Sequence, residues 1–290
     1  MKVAGFTIVR NAEKFDYPVK ESILSVLPIV DIFIVSIGQS EDNTEGIIRS
    51  IPSDKIKIVH SVWDDNLREG GKVLAIETNK AKEQIPSDID WCFYIQSDEV
   101  INENDYEKIQ QAMKENLYNP DVEGLLFNYY HFFGNYDYIA TSRKWYRKEI
   151  RIIRNNKDIL SYKDAQGFRK LNNEKLKVKE TGAYIYHYGW VRHPKAQLEK
   201  QKNFHKLWHD DEWVKQHIDE EKILNYKVND ILEKFNGKHP FVMKDRIEKY
   251  NWHFNYSKDD IKLPFKEKLL YKFEQLTGYR VGEYKNYRMI

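Results

Sequence analysis

Through its first 117 residues the chain alternates compact apolar runs with segments whose apolar residues recur every three or four positions, and this alternation restricts the fold more than any other property. Val3 to Val9 is the first run, and Val19, Ile23, Val26 and Leu27 follow at helical spacing. Residues 32–37 form a β-branched run, after which Asp42-Asn43-Thr44-Glu45 sets a capping residue and an acid ahead of Ile47, Ile48 and Ile51. A third run covers 56–62, and Gly70-Gly71 then opens a helical stretch over 72–84. The fourth run, 91–95, leads straight into Gln96-Ser97-Asp98-Glu99. Asn104-Asp105-Tyr106-Glu107 caps a further helix, with Tyr106, Ile109, Met113 and Leu117 on one face. Strands separated by such helices pair in parallel with right-handed crossovers, and ligands bind beyond their carboxyl ends. The expected fold is α/β, a mostly parallel Rossmann-like sheet flanked by helices.

Beyond Pro120 the pattern changes: 125–133 and 149–154 read as strands joined by an aromatic and basic segment, where a second substrate would be received. From Pro194 onward the chain turns helical and polar. The division predicted is a domain over 1–192 and a helical C-terminal extension over 193–290, in keeping with the size at which single cores stop growing.

Charge and cysteine content narrow the function classes. Lys+Arg number 47 against 45 Asp+Glu, a formal net charge of +2, which points to no nucleic-acid partner. The one cysteine, Cys92, sits in an apolar run and suits a buried thiol in a reducing compartment, so a cytoplasmic location is expected. The apolar stretch before Arg10 is too short for a signal peptide. Residues 23–37 are broken by Pro28 and Asp31, short of the roughly 20 apolar residues that span a bilayer. The last segment, 262–290, has seven Lys+Arg against three acids beside Leu269, Leu270, Tyr271 and Phe273, which allows at most peripheral contact with an anionic membrane.

Several segments taken in order resemble the family 2 glycosyltransferases of the GT-A fold: residues 6–11, the loop 37–44 after the second run, the stretch 69–81, and Asp90 through Glu99, which is similar to the strand delivering that family's Asp-x-Asp motif. The resemblance covers about residues 3–190 and implies inverting transfer of a sugar from a nucleoside-diphosphate donor, UDP- or GDP-linked, to a carbohydrate or lipid-linked hydroxyl acceptor. It implies a divalent cation, Mn or Mg, with Asp98 and His187 as protein ligands. Thr7, Val9, Arg10, Asn11, Gln39, Asp42, Arg68, Gln96 and Ser97 would hold the nucleotide.

A departing diphosphate needs its developing charge neutralised, which is the work such a cation does. Here Gln96 stands at the motif's first acid and Gln39 where the second loop usually carries one, so the carboxylate count is low. An inverting displacement also needs a base for the acceptor hydroxyl. Asp164, in Tyr162-Lys163-Asp164-Ala165-Gln166, is the positional match, with Glu99 and Asp137 next in line. Arg143, Arg147, Arg151 and Arg154 form a basic stretch from which one or two guanidiniums could grip a phosphate. The alternatives are a nucleotidyltransferase, disfavoured because residues 10–14 hold no glycine, and a non-catalytic binder of nucleotide or carbohydrate.

Overall fold

A computed structural model of the chain describes residues 1–218, 230–254, 256–257, 261 and 264–290. The first half is built as expected: β1 (Val3–Val9), α1 (Val19–Val26), β2 (Ile32–Gly38), α2 (Thr44–Arg49), β3 (Ile56–Ser61), α3 (Lys72–Glu83) and β4 (Trp91–Tyr94). β1 lies between β2 and β4, and β3 lies outside β2, all in parallel register. Successive side chains of a strand point to opposite faces. Val3, Val9, Trp91 and Phe93 therefore pack with Ile23 of α1 and with Ile109 and Met113, whereas Ala4, Phe6, Ile8, Cys92 and Tyr94 pack with Ala81 of α3 and Phe168. Both faces being covered, these strands read as unbroken apolar runs. Burial pushes the Cys92 thiol up to about 12, so it is an inert packing group.

The second half adds β5 (Glu99–Ile101), α4 (Tyr106–Glu115), β6 (Gly124–Gly134), β7 (Tyr138–Ala140), β8 (Lys148–Arg154), the hairpin of β9 (Ile159–Tyr162) with β10 (Gly167–Lys170), and the 16-residue β11 (Leu176–Val191). β8 runs antiparallel between β4 and β6. β11 lies parallel to β6 and takes β5 antiparallel, which sets His187 opposite Glu99. The fold class is thus α/β, a large curled Rossmann-like sheet flanked by helices.

After β11 come α5 (Pro194–Lys206), α6 (Asp211–His217), β12 (Leu232–Lys234), α7 (Lys244–Tyr250), α8 (Phe265–Thr277) and β13 (Tyr287–Met289). β12 pairs with β7 and β13 with β11, so the C-terminal residues lend strands to the sheet as well as helices around it. Lys262 of the basic terminal segment lies outside the described residues. No helix among the described residues is long and apolar enough to cross a membrane.

Candidate functional site

A cavity of about 920 Å³ opens at the carboxyl ends of β1 and β4, where the fold predicts a ligand. Of the residues expected to serve it, Val9, Arg10, Asn11, Arg68, Gln96, Ser97, Asp98, Asp164 and His187 all line it. Three expected nucleotide contacts do not. Thr7 is fully buried within β1, and Gln39 and Asp42 face a separate, smaller depression over β2 and β3. Asp42 is occupied locally, accepting from the backbone and hydroxyl of Thr44 and from the backbone N–H of Lys14, so it fixes the turn into α2 and fastens the β1 loop to it.

The end of the cavity next to β1 is braced by bonds within the chain. Asn11 adopts a positive φ of 55°, which asparagine tolerates, and its Oδ1 accepts from the backbone N–H of Glu41 at 2.8 Å. Arg10 grips Asp65 bidentately, at 2.5 and 3.1 Å, and lies over the Trp63 ring. Trp63 and Asp65, both lining the cavity, follow β3 in a segment no motif marked.

Beneath the floor, Glu99 and Arg151 form a fully buried bidentate pair at 2.7 and 2.8 Å, and Tyr129 donates its hydroxyl to Glu99 at 2.8 Å. Glu99 is thereby committed to structure and cannot act as a base. Asp137 is engaged in the turn between β6 and β7 and does not line the cavity. The other arginines are likewise built in: Arg143 and Arg147 meet Glu274 and Glu283 of the C-terminal segment, while Arg154 lies over Trp91 and donates to four backbone carbonyls between residues 116 and 122. The basic stretch expected to supply a phosphate grip is mostly scaffold, only Arg143 reaching the cavity wall.

Asp164 projects from the tip of the β9–β10 hairpin, where Lys163 and Ala165 both have positive φ. The tip is pinned to the floor, with Gln96 donating to the Ala165 carbonyl at 3.2 Å and Arg151 to that of Gln166 at 2.7 Å. Burial raises the Asp164 carboxyl above its ordinary value, against the nearby backbone N–H groups and Lys163, as suits a proton acceptor.

Asp98 is 8% exposed. Its Oδ2 accepts from Lys200 Nζ at 3.0 Å and lies 3.9 Å from Arg192 Nη2, and its Oδ1 is 3.8 Å from His187 Nε2. Burial alone would raise its pKa, yet Lys200, with Arg192, holds it well below the usual carboxylate range. Burial, with Arg192 next, draws the Lys200 ammonium down to about 8, still charged at neutral pH. His131 Nε2 donates to the Tyr146 carbonyl at 2.7 Å, which leaves its Nδ1 to accept from His187 Nδ1–H at 3.0 Å. His187 Nε2 then lies beside Asp98 Oδ1 and Gly189. Gly189 lies directly beneath, where a Cβ would meet Asp98 Oδ2 at 2.9 Å.

These residues do not fit the expected divalent cation. One carboxylate oxygen, one imidazole nitrogen and the neutral amide oxygen of Gln96, which replaces the second acid, remain as donors, and no three His, Cys, Asp or Glu converge among the described residues. An ammonium and a guanidinium within 4 Å of the same carboxylate would repel such an ion. Lys200 was not singled out from the sequence because it falls in α5, beyond the residue-192 boundary; Pro194 marks where that helix starts but not that it packs against the site.

No family model matches the chain, and no curated protein matches it. Among solved structures it is similar to S. aureus TarS, at 17% identity and a TM-score of 0.42, over 70% of this chain but only 38% of that one. It is also similar to S. aureus TarS 1–349 in complex with UDP, at 16% identity and 0.42, over 79% of this chain and 71% of that one. Glucosyl-3-phosphoglycerate synthase from Mycobacterium tuberculosis, in complex with Mn2+, UDP and phosphoglyceric acid, gives 18% and 0.31 over 44% and 43%. What the site can do rests on its own side chains.

Proposed function

We propose that the chain is a glycosyltransferase that moves a sugar, with inversion, from a UDP- or GDP-linked donor to a hydroxyl acceptor. The observation that carries this is the meeting, in one cavity beyond the strand ends, of a cationic cluster around Asp98 and a half-buried carboxylate, Asp164, with a raised proton affinity. The nucleotide would lie toward Arg10 and Asn11, with its diphosphate toward Lys200. The acceptor hydroxyl would enter from the side lined by Trp145 and Trp190, whose faces suit sugar rings.

Asp164 takes the acceptor proton as that oxygen forms its bond to the anomeric carbon; the bond from that carbon to the phosphate oxygen breaks, and the electron pair leaves on the diphosphate. Residues 1–192 form the catalytic domain of this reading, and the extension from 193 closes its cavity through α5. A cytoplasmic setting is part of this reading, and a single buried thiol, Cys92, suits it. Any membrane contact falls to α8, where Phe265, Leu269, Phe273 and Leu276 are exposed along one side.

The test is to incubate the full chain with UDP- and GDP-sugars and a set of glycosides, following nucleoside diphosphate release and the anomeric configuration of the product. Release with an inverted anomer supports the reading. Nucleotide binding with no release over a broad acceptor set would favour the non-catalytic binder.

A further inference from the structure

We infer that Lys200, backed by Arg192, supplies the positive charge for the departing diphosphate that GT-A sites otherwise draw from a divalent cation, so that donor binding and transfer need no metal. The inference rests on the glycosyl-transfer reading and names the group that acts in it.

The first ground is position. Lys200 lines the cavity, its side chain is 14% exposed, and Nζ is fixed by two acceptors, Asp98 Oδ2 and the Gly189 carbonyl, each at 3.0 Å. An ammonium has three N–H donors, so one is left to direct at a ligand. The second is charge. Glu99 is neutralised by Arg151, so around Asp98 itself two cations, Lys200 and Arg192, outweigh the one carboxylate. Such a floor attracts a diphosphate. The third is rigidity. Arg192 is fully buried, donates to the Phe15 carbonyl at 2.7 Å and lies over the Tyr17 ring, while Lys200 Nζ lies 5.1 Å from the same ring. A charge held in place before reaction stabilises developing charge without reorganising.

In the step itself, the anomeric carbon–oxygen bond breaks, both electrons stay on the terminal phosphate oxygen, and the Lys200 ammonium donates a hydrogen bond to that oxygen without giving up its proton. The acceptor's proton goes to Asp164. Asp98 acts as a positioning residue, holding Lys200 toward the cavity.

The experiment is calorimetric titration of the full chain with UDP and GDP, once in excess chelator and once in manganese, for the wild type, Lys200→Gln and Lys200→Arg. The inference expects the better nucleotide to bind equally with chelator or manganese. Lys200→Gln should weaken it by about 10–100-fold, the loss of one charge-assisted hydrogen bond, and Lys200→Arg by much less. Binding that appears only with manganese would overturn the inference and leave the glycosyltransferase reading standing. Unchanged affinity in Lys200→Gln would also overturn it. Absence of binding by either nucleotide under both conditions would overturn the inference and the functional reading together. Should Lys200→Gln not fold, the wild-type comparison with and without chelator decides alone.

Discussion

Lys200 Nζ lies 3.0 Å from Asp98 Oδ2, so a helix following β11 closes onto the loop leaving β4 across 102 positions of sequence. Asp98 is thereby the counter-ion of a buried cation cluster as well as a wall of the cavity. Asp98→Asn should lower stability by about 2–4 kcal/mol, because it leaves Lys200 and Arg192 under-compensated. It should weaken nucleotide binding less than Lys200→Gln does. Denaturant melts and UDP titrations of both variants check this; a larger binding loss in Asp98→Asn would return Asp98 to the part of a direct ligand holder.

Asp164→Asn should leave the donor's binding constant within a few-fold of wild type while lowering turnover by roughly 10²–10⁴, the usual cost of a lost general base. Single-turnover rates beside donor titrations separate the two. A comparable loss in donor affinity would place Asp164 among the nucleotide contacts.

The first half of the sheet was legible in the sequence because strands covered on both faces are apolar at nearly every position, as Val3–Val9 is apart from Thr7. The convergence of Asp98, His187 and Asp164 on one cavity was legible through the family resemblance, since each stands where a strand or hairpin of that fold delivers a side chain. β7, β12 and β13 were not legible: each has three residues and exists through pairing with a distant partner, which leaves no local pattern. Gln39 and Asp42 were misplaced because a polar loop after a parallel strand can turn to either side of its strand end, and the choice is made by tertiary bonds such as that from Arg10 Nε to the Gln39 carbonyl. Arg143, Arg147 and Arg151 looked available because their partners, Glu274, Glu283 and Glu99, are remote in sequence.

Arg151→Met should cost about 3–5 kcal/mol, because it strands the Glu99 carboxylate in a fully buried setting. The replacement also frees the Asp164 hairpin from its hydrogen bond to Arg151. Thermal melts of this variant against Arg151→Met/Glu99→Leu check the cause: the double variant should recover part of the loss, and no recovery would assign the cost to packing rather than to the unpaired charge.

Glu149 supplies a pH signature in stability. Burial, opposed by Arg151 and the Ile150 backbone N–H, raises its carboxyl to about 7. The folded state therefore holds that proton more tightly than the unfolded chain. The resulting stability is fully present below the unfolded value of 4.5 and is lost as pH rises through about 7. Glu149→Gln, which keeps the acceptor for the Ile150 N–H, should gain relative to wild type between pH 5 and 8, by on the order of 1–3 kcal/mol at the upper end. A difference that does not change with pH would show that Glu149 is not protonated in the fold.

Whether the cavity beyond β1 and β4 is a nucleotide-sugar site is tested most directly by melting of the full chain across nucleoside diphosphates and nucleotide sugars. At concentrations about 100-fold above the dissociation constant, a ligand of the native state alone should raise the melting temperature by roughly 5 °C. The account predicts such a rise for UDP or GDP and their sugar conjugates, undiminished by chelator and reduced in Lys200→Gln. No rise with any nucleoside diphosphate or nucleotide sugar, with or without manganese, would contradict it.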